Sequence, residues 1–381
     1  MLNSHAQSDT DFVDMVRRFA RSELAQGALD RAHSRDYPWD TARRLAELGL
    51  IGITIPEPLG GIGGTLADAV TAIQEVALVC PKSADVIQAG NFGPLRTFAE
   101  YATEDQRRRY LPDLLGGRRL IALGMSEPEA GSAVTELQTS ATRDGDGWRI
   151  DGTKVFSTHS PHADLFLIYV RFGPGVSGIG SVLVERDTPG FSIGEPSAFM
   201  SGEEWCQLYF DGCHVPDGNV LLGPEGFKKQ ISGFNVERIG NAARALGLGR
   251  HAFEVARSHA ATRQQFGRPL CEFQGIQWKF AEMAVKLASA QMLLDKAVAS
   301  GHDGFPDPCA TAMAKLACNE AGFDVANEAL QVMGAYGYSS ESLVEYCFKR
   351  TRGWMIAGGT VEILKNRIAE HVFDRRFSQR P

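Results

Sequence analysis

The chain has 381 residues, 44% of them hydrophobic and 22% charged, which suits two or three packed globular units rather than a single small core. With 39 basic against 46 acidic side chains the net charge is −7, so neither nucleic acid nor an anionic membrane is expected as the main partner. The N-terminal stretch MLNSHAQSDTDFVDMVRRF carries acids and lacks the apolar segment of a secretion signal. No uncharged apolar run reaches membrane-spanning length. The cysteines at 80, 206, 213, 271, 309, 318 and 347 never form a CxxC pair, a pattern of reduced thiols in a cytoplasm rather than of disulfides or zinc.

From residue 10 to about 118 the pattern is helical. DFVDMVRRFARSEL places Phe12, Met15, Val16 and Phe19 on one face, and Pro38 announces a second helix in WDTARRLAELGL. IPEPLGGIGG is a loop; TLADAVTAIQEVALV and EDQRRRYLPDLLGG continue the helices. From about 120 to 225 the period becomes two, with strands in ALGMSEP, SATRDGDGWRIDGTKVF, DLFLIYVRF, GSVLVERD and CQLYFDGCHVP. Asp144-Gly145-Asp146-Gly147 predicts a tight hairpin. Helical patterns then return over roughly 227–262, 272–300, 306–333, 341–353 and 360–373. Helices, then strands, then helices, without βαβ alternation, predict an α+β chain of three consecutive units: helical 1–118, β 119–225 and helical 226–381.

Several stretches invite a chemical reading. Gly173 to Gly178 fit GxGxxG, but a strand pattern follows where a dinucleotide fingerprint needs a helix, so a hairpin loop is the better account. His159 and His162 have no neighbouring acid or cysteine to complete a metal set, and no GxSxG elbow is present. GMSEPEAGSA (124–133) combines Ser, Glu and small residues where a strand enters a loop, suited to close contact with a polar ring edge or to a simple turn. Arg263 and Phe266 set a cation beside an aromatic near a helix end, able to hold a pyrophosphate or merely to terminate the helix. Glu237-Arg238 lies in FNVERIGNAARALGLG. An exposed ion pair is the ordinary reading, yet the small residues permit tight packing that would desolvate the carboxylate and raise its pKa. MIAGGTVEIL (355–364) presents two bare glycines ahead of a Thr-initiated helix.

Taken in order, these stretches resemble the acyl-CoA dehydrogenase family over nearly the whole chain. GLIGITIPEPLGGIGG and EYATEDQRRRYLPDLLGG are similar to its N-terminal helical domain, and GMSEPEAGSA, DGWRIDGTKVFST and FDGCHVP to its central β-barrel-like domain. RQQFGRPLCEFQ, QVMGAYGY and IAGGTVEIL are similar to its C-terminal four-helix bundle. The resemblance implies FAD-dependent oxidation of an acyl-CoA thioester to the trans-2-enoyl thioester. A glutamate takes the α proton and flavin N5 the β hydride, and electrons leave to an electron-transferring flavoprotein.

Carried over by motif, Leu123, Met125, Ser126, Gly131, Ser132, Phe156, Ser157 and Thr158 would line the isoalloxazine. Arg263, Phe266 and Gln274, with Gln331, Gly334, Thr360 and Glu362, would reach FAD across a homodimer or homotetramer. Ser132, Asn235, Arg238, Gly358 and Gly359 would contact substrate. Much of the family places its base at the position of Gly358. A branch that includes isovaleryl- and long-chain-type enzymes places it on the first helix of the C-terminal domain, which here is Glu237. The resemblance therefore assigns the base to Glu237. Departures occur at Ala133 for the family's Asp, at Phe156-Ser157-Thr158-His159 for Trp-Ile-Thr-Asn, and at Ala335 and Lys349-Arg350, which indicates a specialised member. Other readings remain: a lyase like 3-sulfinopropionyl-CoA desulfinase, in a branch that also holds benzylsuccinyl-CoA dehydrogenase, a dehydrogenase using an acyl-carrier thioester, and a non-catalytic flavoprotein. Against the lyase, SADVIQAGNF holds no arginine, although Lys82 and Arg96 are nearby.

Overall fold

The computed structural model describes residues 9–301 and 305–377. The sequence expectation for the extreme N-terminus falls largely on residues 1–8, outside the described ones. In chain order the helices before the sheet are α1 (Thr10–Phe19), α2 (Ala28–His33), α3 (Trp39–Glu47), α4 (Leu66–Ala77), α5 (Pro81–Ala89), α6 (Gly93–Tyr101) and α7 (Glu104–Leu115). The strands are β1 (Ile121–Gly124), β2 (Ser140–Asp144), β3 (Gly147–Thr158), β4 (Leu165–Arg171), β5 (Ile179–Glu185), β6 (Phe191–Ile193), β7 (Ser197–Ala198), β8 (Glu204–Pro216) and β9 (Val220–Leu222). After them come α8 (Phe227–Thr262), α9 (Gln274–Ala299), α10 (Pro308–Met333), α11 (Ala335–Tyr338), α12 (Leu343–Trp354) and α13 (Val361–Val372). The order helices, mixed sheet, helices is the α+β arrangement expected from the sequence.

The chain packs as two compact units. One contains residues 34–64 and 89–234, the other the described residues of 1–33, 65–88 and 235–381. In the first, the main path of the sheet runs β6-β8-β3-β2-β4-β5-β9, with β1 parallel to β4 and β7 paired to β8. The predicted hairpin is present: Asp144 pairs with Gly147 around Gly145, whose φ of +57° explains the glycine. Phe166, Ile168, Val182, Val184, Leu208 and Phe210 form its buried core. Gly173 to Gly178 lie in the loop joining two strands, ending in a single 3₁₀ turn, as the fingerprint's missing helix implied.

In the second unit the inward stripe of α1 is Val13, Val16 and Phe19, with Phe12 and Met15 only half-buried at its flanks, a small rotation from the predicted face. A capping box of Thr65 and Asp68 starts α4. α5 has no polar face to read, because Lys82, Ser83, Asp85 and Gln88 are all buried along with its apolar residues. It is a short helix enclosed on every side. α9 and α10 pack together, and α10 crosses α8 at glycines. A Cβ on Gly249 would sit 2.9 Å from Gly322 Cα, and a Cβ on Gly322 would overlap Ala245 O. The small residues of GNAARALGLG thus bring the two backbones together. Among the described residues no helix is long and apolar enough to cross a membrane, and no group of three or more His, Cys, Asp or Glu could hold a metal.

Gly322→Ala should lower unfolding stability by about 1–3 kcal/mol, since the new methyl has only backbone to displace. The denaturant midpoint of the purified variant against wild type measures it, and an unchanged midpoint would show that the crossing yields easily.

Candidate functional site

The sequence candidates divide between the two units. In the sheet-containing unit, Leu123, Met125 and Ser126 leave β1 and are tied to β3. Val155 N–H donates to Ser126 O at 2.9 Å, Ser157 Oγ to Leu123 O at 2.9 Å and Lys154 Nζ to Met125 O at 3.4 Å. Beneath this seam Lys154 Nζ also donates to Glu127 Oε1 at 2.7 Å, while Glu127 accepts the Gln138 and Thr139 N–H groups. Burial pushes the Glu127 carboxyl up, but Lys154 and the Gln138 N–H outweigh it and leave it below its ordinary value.

Phe156 is exposed at φ +56°, tilted against Trp205 with ring centroids 4.6 Å apart. Ser126 and Thr158 are half-buried, Ser157 is buried, and Gly131 and Ser132 are exposed, with open space where Gly131 would carry a side chain. Hydroxyls, backbone groups and an aromatic edge along one seam suit a flat, polar-edged ring such as a flavin. His159 and His162 are occupied otherwise: His159 lies edge-on to Tyr37 and 3.5 Å from Glu203, and His162 Nε2 is 3.2 Å from Arg35 O.

In the helical unit, Glu237, Asn241 and Arg244 share one face of α8 at spacings of four and three. Glu237 does not need Arg238 for a partner. Gln88 Nε2, from α5, donates to Glu237 Oε1 at 2.6 Å and to Asn241 Oδ1 at 2.9 Å. Arg238 turns instead to Gly358 O at 3.2 Å and Asn235 Oδ1 at 3.0 Å. The exposed ion pair of the ordinary reading is replaced by a partly buried carboxylate held by an amide.

The glycine turn closes the same site. Gly358 and Gly359 have φ of +73° and +93°, and a Cβ on Gly358 would overlap Asn241 Nδ2. The space that an acidic side chain at 358 would need is filled by Asn241. Lys315 of α10 fastens the turn, donating to Gly359 O at 2.9 Å and Trp354 O at 3.2 Å, and Asn319 Nδ2 donates to the same Trp354 O. Behind it, buried Asp85 pairs with Arg244 at 2.8 Å and Arg350 at 3.1 Å, and both guanidinium groups lie over the Trp354 ring.

Burial raises the Glu237 carboxyl to about 7, with Arg244, Gln88 and Lys315 opposing. Burial and then Arg238 lower the Lys315 ammonium to about 7, against Glu237. A carboxylate so placed is a base poised near neutrality.

Thr360 caps α13, accepting from Ile363 N–H, with Glu362 exposed in the first turn. Arg263, Phe266, Gln274, Gln331 and Gly334 are exposed, Phe266 at 93%. The structure therefore brings Asn235, Glu237, Arg238, Gly358 and Gly359 together and leaves this second group at the surface of the unit. The sequence reading missed Gln88, Asn241, Arg244 and Lys315. Helical spacing from Glu237 could have found Asn241 and Arg244; nothing local marks Gln88 or Lys315.

Comparison with known proteins gives a consistent result. Models of the N-terminal, middle and C-terminal domains of acyl-CoA dehydrogenases match residues 7–118, 122–213 and 224–373. A 3-sulfinopropanoyl-CoA desulfinase of Paraburkholderia xenovorans (strain LB400) is 34% identical over 96% of each chain. The acryloyl-CoA reductase (NADH) of Anaerotignum propionicum is 36% identical over 95% of this chain and 93% of its own. The solved structure of butyryl-CoA dehydrogenase from Megasphaera elsdenii superposes with a TM-score of 0.89 at 30% identity, covering 95% of this chain and 97% of that one.

Gly358→Ala should be destabilising by about 1–3 kcal/mol, because the methyl meets both a left-handed backbone and the Asn241 amide. Gly358→Ala combined with Asn241→Gly should recover part of that loss. Denaturant melts of the single and double variants give the coupling, and strict additivity would show that the two positions do not compete for one space.

Proposed function

Because the chain belongs to the acyl-CoA dehydrogenase family, whose named members are oxidoreductases and flavoproteins, we propose that it dehydrogenates an acyl-CoA thioester between Cα and Cβ to the trans-2-enoyl thioester. FAD, when bound, supplies a two-electron acceptor for the β hydride. The residues suited to its ring are the β1–β3 seam of Leu123 to Ser126 with Phe156 to Thr158, together with exposed Gly131 and Ser132. Arg263, Phe266, Gln274, Gln331, Gly334, Thr360 and Glu362 would serve its ribityl-to-adenine half. The exposure of the first five suits a cofactor shared between copies of the chain. Exposed Trp278, Val285 and Met292, seven residues apart on α9, offer an apolar stripe for a second copy. An electron-transferring flavoprotein is the proposed electron acceptor.

Glu237 is the proposed base. The observation that carries this assignment is geometric: Gln88 bridges the Glu237 carboxylate to Asn241, whose amide fills the space an acid at Gly358 would need. Its ionised form takes the α proton, and burial makes it a stronger base than an exposed glutamate. Arg238 and Lys315 keep the turn at Gly358 and Gly359 fixed against it, through Gly358 O and Gly359 O. Asn235, which accepts from Arg238, would be placed with them against the thioester.

A second reading, carbon–sulfur cleavage without net oxidation, draws on the desulfinase relatives. Its proposed anion grips are already engaged: Arg96 donates to Glu100 at 2.6 Å and Lys82 is buried. A requirement for an external electron acceptor separates the two.

Anaerobic flavin bleaching on adding straight-chain, branched, aryl and dicarboxylic acyl-CoAs tests the reaction and names its acyl class. In Glu237→Gln the rate of bleaching should fall about 10²–10⁴-fold with flavin still bound. A wild-type rate would remove Glu237 from the role. In wild type the rate should rise with pH through about 7 and then level, because only the ionised carboxylate accepts a proton.

The same group predicts a stability signature. Its folded pKa of about 7 exceeds the ordinary 4.5, so the unfolded chain gives up this proton first. The carboxylate therefore costs folding stability increasingly as pH rises between those values. Glu237→Gln should melt higher than wild type at pH 8 and converge with it toward pH 4.5.

A further inference from the structure

We infer that Gln88 is a positioning residue for the base: its side-chain amide, fixed by Asn241, aims the Glu237 carboxylate and holds it in its ionised form. The inference rests on the reading of Glu237 as the base and concerns what makes that base usable.

The amide orientation follows from the ionised base. With the carboxyl ionised its oxygen only accepts, so the Gln88 atom 2.6 Å from Glu237 Oε1 is the NH₂ group in that state. Its second hydrogen goes to Asn241 Oδ1 at 2.9 Å, so one nitrogen bridges base and amide. That choice turns Asn241 Nδ2 toward Gly358, where it fills the space a side chain at 358 would take. Gln88 and Asn241 are 3% and 1% exposed, so neither can trade this arrangement for water at little cost. Gln88 Oε1 and Asn241 Nδ2 are left without hydrogen-bond partners in the structure.

The bridge also sets the sign of the electrostatic effect. The charged groups acting on Glu237 are Arg244 on its own helix and Lys315 on α10, with Asp85 and Arg350 around Arg244; Arg238 turns to Gly358 O, and the glycine turn contributes only backbone. The Gln88 N–H lies within hydrogen-bonding distance of the carboxylate. A hydrogen bond donated to the ionised form favours that form. Removing it leaves burial less opposed, and the base then needs a higher pH to ionise.

The test is the pH dependence of flavin reduction by a bleaching acyl-CoA in the holoenzyme. In Gln88→Met, which keeps the length without the donor, the acidic limb should move up by about one unit and the plateau should also fall, since the carboxylate is then neither held ionised nor aimed. Gln88→Leu, which also removes the donor, should move the limb in the same direction. A lowered plateau with the limb where wild type has it would assign Gln88 a packing role and overturn the inference. If Gln88→Met does not fold, Gln88→Leu carries the same decision. Glu237→Gln, run alongside, separates the two levels. A wild-type rate there defeats the base assignment itself, whereas a dead Glu237→Gln with an unmoved limb in the Gln88 variants defeats only the positioning.

Discussion

Two groups cannot occupy the space beside Gly358, and the site is organised around that exclusion. Asn241 Nδ2 stands where a Cβ at 358 would be, at a backbone φ of +73° that already favours glycine. With Asn241 there, its carbonyl oxygen faces Gln88, and Gln88 in turn faces Glu237. The glycine, the two amides and the carboxylate form one continuous arrangement, so none of the four is free to change alone. Relocating an acid to 358 would require Asn241 to leave first.

The arrangement stands on a rigid base. The close crossing of α8 and α10 at Gly249 and Gly322 brings Lys315 within reach of the turn carbonyls. Asp85, between Arg244 and Arg350, neutralises two buried cations whose planes also cover Trp354. A buried charge cluster contributes little net stability, but losing one member leaves another uncompensated, which makes the geometry hard to deform. Trp354 joins this cluster to the site, since its carbonyl accepts from both Lys315 and Asn319.

Much of the architecture was legible from the sequence for local physical reasons. The Asp-Gly hairpin, the Pro38 helix start and the long C-terminal helices depend on turn chemistry and periodicity, which neighbours in sequence decide. The π-turn of Ala20–Leu24 and the short strands β6, β7 and β9 were not legible, because three residues or fewer per strand carry no period. α5 lies inside the stretch read as helical but was not delimited, because it is enclosed on all sides and its polar and apolar residues alternate without a stripe. The candidate site divides the same way. The small residues around Glu237 announce close packing, whereas the Gln88 donor lies 149 positions away in sequence and only the fold brings it near. The open space at 358 is visible as a glycine; that an asparagine fills it is not.

The account turns on whether Glu237 removes an α proton, and that step can be read without oxidation. The measurement is deuterium incorporation from D₂O at Cα of an acyl-CoA that has α hydrogens but no β hydrogen, followed by proton NMR in the anaerobic holoenzyme. The account predicts exchange in wild type that grows with pH through about 7 and is abolished in Glu237→Gln. Exchange persisting undiminished in Glu237→Gln would place the base elsewhere and contradict it.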